Sequence, residues 1–480
     1  MKDPIPAAIL EGRAKRVHLI AICGVAMAAL AGMLKQRGYE VSGSDENVYP
    51  PMSEVLARLG IPIRSGFRAE NLADRPDLVV VGNKVSRNNP EVEALLASGI
   101  PYASMPEVIE ELFLRDRLSV VIAGTHGKTT STAMMAVVLD HAGRRPSVLV
   151  GGDSVDFGGN YKLGDGEHFV IEGDEYDTAF FDKGPKFLHY RPGAVILTAV
   201  EFDHADIYRD LDHVKSAFRK LIDLLPAASP LLVSSDFPHA VEVASSHGFT
   251  TFGLAGKADW SVDALRDEGE RTRFTVLHRG RPEGEIDMWP PGPINARNAL
   301  GVFAMGRALG LSGAEIAEGL REFRGVARRQ EKVAEIGGVT VIDDFAHHPT
   351  AVAGTLSALR LRYPRNRLWA VFEPRSNTSR RKVFQREYLA ALAAADQVVI
   401  GGVFQKQTDS IAEQDLFSPD KLAADLTAAG SAARAIGEPM EIAQTLGEES
   451  AAGDVIILMS NGSFGGLRAK LVAALEARFA

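Results

Sequence analysis

The sequence predicts an α/β protein built from three domains, and three observations support this. Short apolar segments alternate with helical segments along the whole chain, as strands and covering helices do in parallel sheets. Glycines and polar residues follow directly after several of these strands, where such sheets bind ligands. The chain has 480 residues, which is enough for roughly two to four separate cores. We expect the domains at residues 1–116, 117–325 and 326–480.

Composition narrows the class of protein. Hydrophobic residues make up 46% of the chain and charged residues 24%, which is typical of globular proteins. The net charge of −9 gives no basic surface for nucleic acid. No segment approaches the roughly 20 apolar residues that span a bilayer, and Cys23 is the single cysteine. We therefore expect a cytoplasmic enzyme that binds no nucleic acid, with no membrane insertion and with its oligomeric state left open.

The first 116 residues show a strand–helix–strand pattern. Residues 16–23 form an apolar strand, a glycine turn follows, and residues 27–37 have the composition of a helix. Residues 39–45 and 77–82 are two further candidate parallel strands. This pattern predicts a Rossmann-like N-terminal domain.

The first turn of this domain only partly matches a dinucleotide fingerprint. Ala21 and Met27 stand where the outer glycines of that fingerprint would lie, although Gly24 is present. The turn therefore leaves nucleotide or nucleotide-sugar binding and plain scaffolding about equally open. Asp45 ends the second strand, where an acid can contact a ribose; the alternative is a helix cap.

The segment SVVIAGTHGKTT at residues 119–130 is the most specific motif in the chain. An apolar strand runs into a tight glycine turn, and Lys128 then opens a helix, which is the arrangement of a triphosphate site. The lysine can reach the terminal phosphates and the Thr129 hydroxyl can ligate Mg²⁺. Ile122 stands where a strict P-loop has its first glycine, so the loop is shorter. We predict a central P-loop ATPase domain whose nucleotide-binding residues include Gly124, Thr125, His126, Gly127, Lys128, Thr129 and Thr130.

Acidic residues follow two other apolar strands of this domain. Glu172 ends the strand at residues 169–172 and is the expected second protein ligand for Mg²⁺. Asp203 and His204 follow the strand at residues 194–200. We favour a metal-ligand role for His204 over a purely structural one, because it lies among carboxylates directly after a core strand.

Two asparagines open a later helix. Asn295 and Asn298 are three residues apart and so share a helix face. Their amides can contact an adenine edge, whereas helix capping is the alternative for Asn295.

The last 155 residues again alternate strands and helices. Strands at residues 339–344, 368–375, 397–400 and 454–460 end in polar groups, which predicts a C-terminal Rossmann-like α/β domain. Arg375 ends the second of these strands and could bind a carboxylate through two hydrogen bonds; a surface ion pair is the alternative.

Taken together, these motifs resemble those of the Mur ligases in order and spacing. The matching motifs are GTHGKTT at residues 124–130, Glu172 with its trailing acids, EFDH at 201–204, Asn295 with Asn298, RRQ at 328–330 and DDFAHHPT at 343–350. Four segments are similar to the branch of the family that adds a peptide: NVYPPM at residues 47–52, DEYDTAFFDK at 174–183, EPRSNT at 373–378 and MSNG at 459–462.

The resemblance implies an ATP-dependent ligase with Mg²⁺ as cofactor. It would join UDP-N-acetylmuramate to the murein tripeptide L-alanyl-γ-D-glutamyl-meso-diaminopimelate through an acyl phosphate, in peptidoglycan recycling. The implied catalytic residues are Lys128, Glu172 and His204, and the metal ligands are Thr129, Glu172 and His204. ATP would also contact Asn295, Asn298, Arg328 or Arg329, Asp343 or Asp344, and His347 or His348; from these pairs we select Arg329, Asp344 and His348. The implied UDP-sugar contacts are Gly24, Met27 and Asp45, and the implied peptide contact is Arg375.

Two alternatives remain open at this point. One is the biosynthetic ligase that adds free L-alanine to the same nucleotide sugar, because it shares the first two domains. The other belongs to a different class, a non-catalytic nucleotide-binding regulator on the same scaffold. Such a regulator would be expected to lose Lys128, Glu172 or His204, and the chain has all three.

Overall fold

The computed structural model describes residues 5–48, 52–254, 257–404 and 411–479. Positions 49–51 of the NVYPPM segment therefore lie outside the described residues. The chain divides into two compact units, which we describe separately. The first comprises Met1–Val200, Lys215–Phe252 and Gly301–Gly319; the second comprises Glu201–Val214, Gly253–Leu300 and Leu320–Ala480.

The N-terminal part of the first unit is a five-stranded parallel sheet with helices between its strands. Its strand order is β3-β2-β1-β4-β5. The elements are β1 (Arg16–Ile20), α2 (Val25–Gln36), β2 (Glu40–Asp45), α3 (Met52–Arg58), β3 (Ile63–Ser65), β4 (Leu78–Val81), α4 (Pro90–Ser98), β5 (Tyr102–Ser104) and α5 (Met105–Ile109), preceded by the short helix α1 (Ala7–Leu10). The predicted Rossmann-like pattern is confirmed.

The local sequence accounts for the limits of these helices. In α4, the Asn89 side chain accepts hydrogen bonds from two backbone N–H groups and Pro90 takes the first helical position. Gly99 ends the same helix in the left-handed conformation. All four side chains of β4 are buried, as expected for a strand covered on both faces.

The rest of the first unit is built on a larger sheet that carries the phosphate loop. Seven strands follow the order β14-β13-β12-β6-β9-β7-β8, and β8 alone among them is antiparallel to its neighbour. The elements of this stretch of chain are β6 (Leu118–Ala123), α6 (Lys128–His141), β7 (Ser147–Ser154), β8 (Gly159–Lys162), β9 (His168–Gly173), β10 (Asp177–Ala179), β11 (Asp182–Pro185), β12 (Pro192–Leu197), α7 (Leu211–Asp223), β13 (Leu231–Ser234), α8 (Pro238–Ala244) and β14 (Thr250–Phe252).

The second unit contains a three-stranded antiparallel meander. The alternating strands and helices predicted from the sequence do not include it. Its strands are β15 (Trp260–Glu268), β16 (Arg271–His278) and β17 (Arg281–Met288). Helices α9 (Pro293–Ala308) and α10 (Gly313–Glu322) follow in the chain.

The C-terminal part of the second unit is a doubly wound sheet with the order β18-β19-β23-β20-β21-β22. Only β18 is antiparallel to its neighbour in this sheet. Apolar clusters on its two faces pack against α11 to α13 and against α14 and α15. The elements are β18 (Glu331–Ile336), β19 (Val339–Asp344), α11 (Pro349–Arg362), β20 (Leu368–Phe372), α12 (Gln385–Leu392), β21 (Gln397–Gly401), α13 (Pro419–Ala428), β22 (Ala432–Ile436), α14 (Pro439–Glu449), β23 (Val455–Met459) and α15 (Leu467–Phe479).

Candidate active site

The phosphate loop connects β6 to α6 and is fixed by the chain that follows β12. The Thr125 N–H donates to the carbonyl of Ala199 over 2.9 Å, and the Thr198 hydroxyl lies within hydrogen-bond distance of the carbonyls of Ala123 and His126, between which its single proton is shared. Gly124 has φ +134°, and a Cβ there would lie 2.3 Å from the Thr198 hydroxyl oxygen. Only glycine fits this position without a clash.

Thr129 and Glu172 meet at the carboxyl ends of two adjacent strands. In the β6–β9 pair, Ile122 lies opposite Glu172, which brings this carboxylate beside the first turn of α6. The Thr129 hydroxyl donates to Oε1 of Glu172 over 2.9 Å, and the Gly151 N–H donates to Oε2 over 2.7 Å. Hydroxyl and carboxylate oxygens are the ligands that Mg²⁺ prefers, so these two side chains fit a Mg²⁺ ion.

Lys128 is held by an acid that the sequence analysis did not single out. Its Nζ lies 3.0 and 3.2 Å from the two carboxylate oxygens of Glu175 and donates to the Gly124 carbonyl over 2.6 Å. Burial alone would lower the pKa of Lys128, but the carboxylates of Glu175, Asp174 and Glu172 raise it above its usual value. The lysine therefore carries a full positive charge at the start of α6. The sequence shows a run of acids after Glu172, but nothing in it identifies Glu175 as the partner of Lys128.

The three predicted UDP-sugar residues lie around the first turn of the N-terminal sheet. Gly24 immediately precedes α2, and Met27 is buried within this helix. The two carboxylate oxygens of Asp45 accept hydrogen bonds from the backbone N–H groups of Cys23 and Asn47, each over 2.9 Å. Asp45 therefore holds the turn in place. The sequence suggested a ribose contact or a helix cap for this residue, but not this role.

Ala21, where a dinucleotide fingerprint has a glycine, adopts a left-handed φ of +65°. The local backbone therefore keeps the conformation that favours glycine. Close by, burial and the Asp45 carboxylate raise the pKa of Cys23 to about 11, so its thiol stays protonated.

In the second unit, Asp203 is the centre of a cluster of histidines. Its Oδ1 accepts the backbone N–H of His204 over 2.7 Å, and its Oδ2 lies 3.9 Å from Nε2 of His204 and 3.6 Å from Nε2 of His347. Burial alone would raise the pKa of Asp203, but the imidazoles of His204, His347 and His348 hold it well below its usual range. A carboxylate in this setting stays ionised and can orient a histidine ligand.

The backbone of this loop is also fixed. His204 has φ +53°, a strained conformation for a residue other than glycine. Its carbonyl accepts the N–H groups of Ile207 and Tyr208 over 2.8 and 2.9 Å. His348 caps α11 by accepting the Thr350 N–H, and its other ring nitrogen bonds the Phe202 carbonyl over 3.2 Å.

The two asparagines lie at the start of α9, as predicted, and both are buried. The Asn295 side chain donates to the Pro291 carbonyl over 3.2 Å, which fixes the turn before the helix. This hydrogen bond is not the N-terminal cap considered as the alternative, because the amide donates and does not accept. Contact of Asn295 and Asn298 with adenine remains a prediction.

In the second unit, the predicted arginine and aspartate residues contact backbone groups and an aromatic ring. Arg328 donates to the carbonyls of Ser460 and Gly462 over 2.6 and 2.7 Å, and Arg329 lies over the Phe345 ring at 4.8 Å. Asp344 accepts the N–H groups of Gln330 and Ala346 over 2.8 and 2.7 Å. Burial raises the pKa of Asp344, which nearby Arg329 opposes. The predicted ATP contacts of Arg329, Asp344 and His348 stay predictions.

Arg375 follows β20 and is packed from several sides. Its guanidinium lies 3.9 Å from the centroid of the Phe404 ring and 3.5 Å from Oε1 of Glu373. A Cβ on Gly462 would lie 1.9 Å from Nε of Arg375, so the absence of a side chain there makes room for the guanidinium. A quarter of the Arg375 side chain remains exposed, which leaves it able to bind an anion.

Comparison with known proteins identifies the architecture. Three family models match in succession: "Mur ligase family, catalytic domain" over residues 16–117, "Mur ligase middle domain" over 122–306 and "Mur ligase, glutamate ligase domain" over 328–462. Among the described residues, no helix combines the length and the apolar character that crossing a bilayer requires.

Individual relatives match over nearly the full length. The chain is 38% identical to the UDP-N-acetylmuramate–L-alanyl-γ-D-glutamyl-meso-2,6-diaminoheptandioate ligase of Escherichia coli K12, over 96% of this chain and 98% of the relative. It is 36% identical to the UDP-N-acetylmuramate–L-alanine ligase of Salinibacter ruber, over 82% of this chain and 81% of that protein. The crystal structure of a murein peptide ligase from Psychrobacter arcticus aligns with TM-score 0.72 and 31% identity, covering 96% of this chain and 99% of that one.

These matches confirm the predicted α/β architecture of three domains. The chain belongs to the Mur ligase family and is an ATP-dependent ligase.

Proposed function

We propose that this ligase joins the lactyl carboxylate of UDP-N-acetylmuramate to the amine of L-alanyl-γ-D-glutamyl-meso-diaminopimelate, in the cytoplasmic recycling of peptidoglycan. The main support for these two substrates is the similarity, over nearly the full length, to the E. coli ligase that is named for them. The site supports the chemistry, because a lysine, a hydroxyl and a carboxylate converge at the ends of β6 and β9.

A carboxylate is a poor electrophile and must be activated before an amine can attack it. Transfer of the γ-phosphoryl group to the lactyl carboxylate forms an acyl phosphate and releases ADP, and attack by the amine then releases phosphate. Catalysis of the transfer consists of positioning and charge neutralisation. Lys128 would neutralise the β- and γ-phosphates, while the backbone N–H groups around Gly124 and Gly127 hold phosphate oxygens.

The residues that would hold the metal can be named from their donor atoms. Thr129 and Glu172 would ligate one Mg²⁺, and His204 would supply a ligand for a second ion. When bound, Mg²⁺ supplies charge neutralisation on the phosphate oxygens. Asp203 would orient the His204 imidazole, since it accepts the backbone N–H of His204 and lies beside its ring.

The remaining predicted residues would bind the rest of the substrates. Asn295 and Asn298 would contact adenine, and Arg329, Asp344 and His348 would contact the ribose and phosphates. Gly24, Met27 and Asp45 would form the UDP-sugar site, and Arg375 would bind a peptide carboxylate. We propose domain boundaries at residues 1–116, 117–325 and 326–480, for UDP-sugar binding, ATP binding and binding of the amine or peptide, respectively.

Phosphate release tests the proposal. The purified protein receives ATP, Mg²⁺ and UDP-N-acetylmuramate together with either the tripeptide or free L-alanine. We expect phosphate release with the tripeptide, and none above background with L-alanine. Release with L-alanine alone would replace the proposed substrate by the biosynthetic one, which the S. ruber relative makes the second candidate.

The same assay separates the enzyme from a regulator. ATP binding without turnover on either amine would favour the non-catalytic alternative. Lys128→Ala should abolish turnover while the circular dichroism spectrum stays that of the wild type, because this residue neutralises the transferred phosphoryl group. Near-normal turnover in Lys128→Ala would remove the lysine from the mechanism.

A further inference from the structure

The loop that carries His204 is fixed by a segment that follows the predicted peptide-binding arginine. The backbone N–H of Ala205 donates to the Thr378 hydroxyl over 3.1 Å, and the Asn377 amide donates to the Asp206 carboxylate. Thr378 is 2% exposed, so its hydroxyl is a buried acceptor. Two adjacent side chains thus hold the two residues that follow His204.

The segment that supplies these contacts is itself rigid. The Ser376 hydroxyl accepts the Ser379 N–H over 2.9 Å, and the Ser376 carbonyl accepts the Arg380 N–H over 3.1 Å. The Thr378 carbonyl accepts the Arg381 N–H over 2.9 Å. A tight turn of this kind fixes the direction of the Thr378 hydroxyl.

His204 needs such support because its backbone is strained. A left-handed φ is unfavourable in a residue other than glycine and persists only where surrounding contacts impose it. Contacts that hold this backbone include the Asp203 carboxylate on the His204 N–H and the Thr378 hydroxyl on the N–H of the next residue. Loss of the hydroxyl would also deprive the partly buried Ala205 N–H of that acceptor.

We propose that Thr378, assisted by Asn377, is a positioning residue that sets the orientation of the His204 imidazole for metal binding. This rests on the proposed function only in taking His204 as a metal ligand. The segment at residues 373–378 would then have two roles: Arg375 would bind the peptide carboxylate, and the residues after it hold the metal-ligand loop. Removal of groups that orient a metal ligand typically weakens metal binding by about 10- to 100-fold.

Mn²⁺ binding gives a readout that does not depend on turnover. Free Mn²⁺ is measured by electron paramagnetic resonance with the full-length protein and a non-hydrolysable ATP analogue. We expect Thr378→Val to weaken Mn²⁺ binding about 10-fold or more, and Thr378→Ser, which keeps the hydroxyl, to restore it to within about 3-fold. Thr427→Val, which removes a hydroxyl bonded to the Ala423 carbonyl within α13, is the matched control and should bind as wild type.

KM values separate a specific effect on the metal site from a general loss of structure. Thr378→Val should raise the apparent KM for Mg²⁺ and leave the KM for the tripeptide unchanged. Asn377→Ala, at a partly exposed position, should weaken Mn²⁺ binding in the same direction and provides the test should Thr378→Val fail to fold. Wild-type Mn²⁺ affinity in a folded Thr378→Val protein, or equal loss in Thr378→Val and Thr378→Ser, overturns the proposal.

The variant His204→Ala tests the metal-ligand role of His204 separately from the positioning role of Thr378. Should His204→Ala bind Mn²⁺ as tightly as wild type, the metal role of His204 falls. Should His204→Ala bind weakly while Thr378→Val binds normally, the metal role stands and the positioning role falls. The proposal requires that both substitutions weaken binding.

Discussion

Replacing Glu175 with glutamine tests whether the phosphate-loop lysine depends on a buried ion pair. Glu175 is 2% exposed and its carboxylate lies 3.0 Å from Nζ of Lys128. Opposite charges at that distance attract by about 5 kcal/mol at an effective dielectric constant of about 20, and desolvation offsets much of this. Removing one partner of such a pair costs about 3–5 kcal/mol, because the other charge stays buried. We expect about 3 kcal/mol, since the glutamine amide oxygen still accepts a hydrogen bond.

The chain has three domains, so the cost is best measured locally. Amide hydrogen exchange of peptides covering β6, α6 and β9 reports the free energy of opening this region. A loss of about 3 kcal/mol corresponds to exchange about 100-fold faster. Asp177→Asn is the matched control, because its partner Lys183 is 67% exposed and such surface pairs contribute about 0.5 kcal/mol.

A double-mutant cycle isolates the pair. Lys128→Met alone leaves the Glu175 carboxylate buried and should also speed exchange. The double variant removes both charges, so its loss should be smaller than the sum of the single losses by about 2 kcal/mol. Additive losses, or a Glu175→Gln protein that exchanges like the Asp177→Asn control, would refute the reasoning.

Two further predictions concern a histidine and a glycine. Burial lowers the pKa of His189, but hydrogen bonds to Glu110 and Asp182, and their charges, raise it above its usual value near 6.5. The stability that the imidazolium adds is therefore complete below pH 6.5 and is lost as the pH rises through the folded-state pKa. The stability difference between wild type and His189→Gln, from urea unfolding, should be largest at pH 6 and at least halve by pH 9. Gly462→Ala places a Cβ against Arg375 and should raise the KM for the tripeptide roughly 10-fold or more, with the KM for ATP unchanged.

Each of these has an outcome that contradicts it. A stability difference for His189→Gln that stays constant from pH 6 to pH 9 would mean that the pKa of His189 is the same in the folded and the unfolded protein. For the glycine, Gly437→Ala is the control, because a Cβ there meets no atom within 4 Å. Equal KM values for the tripeptide in the two alanine variants would remove Arg375 from peptide binding.

The parts of the site that follow strand ends could be predicted from the sequence. Lys128 and Thr129 open the helix that follows one apolar strand, and Glu172 lies at the end of another. Parallel strands bring such residues to one edge of a sheet. Thr129 and Glu172 meet there through a hydrogen bond of 2.9 Å. The sequence could not show that β6 and β9 are neighbours, because strand order depends on packing of the whole sheet.

The partners of these residues could not be predicted. Glu175 follows Glu172 by three residues in a run of acids, and only the folded chain brings it to Lys128. Asp203 is likewise one of several acids around His204. The meander of β15 to β17 also lay outside the prediction, because hairpin pairing depends on turns and register that a strand–helix alternation does not contain.

The motif residues of the second unit show a different limit. Sequence reasoning assigned Arg328 and Asp344 as candidates for phosphate or ribose contacts. In the structure each bonds backbone groups of its own unit, Arg328 through two carbonyls and Asp344 through two N–H groups. A motif residue can therefore shape the local backbone, and the sequence alone does not separate that role from ligand binding.

The cationic groups assigned to the substrates already have anionic partners in the protein. Lys128 pairs with Glu175, and Arg375 lies 3.5 Å from Glu373. A phosphate or carboxylate that binds there must share or replace an existing partner, so the gain in binding energy is smaller than the bare attraction. The same pairing keeps a buried ammonium compatible with a stable fold before the substrates arrive. The acids Glu175 and Glu373 should therefore affect ligand affinity as well as stability, although neither needs to contact a substrate.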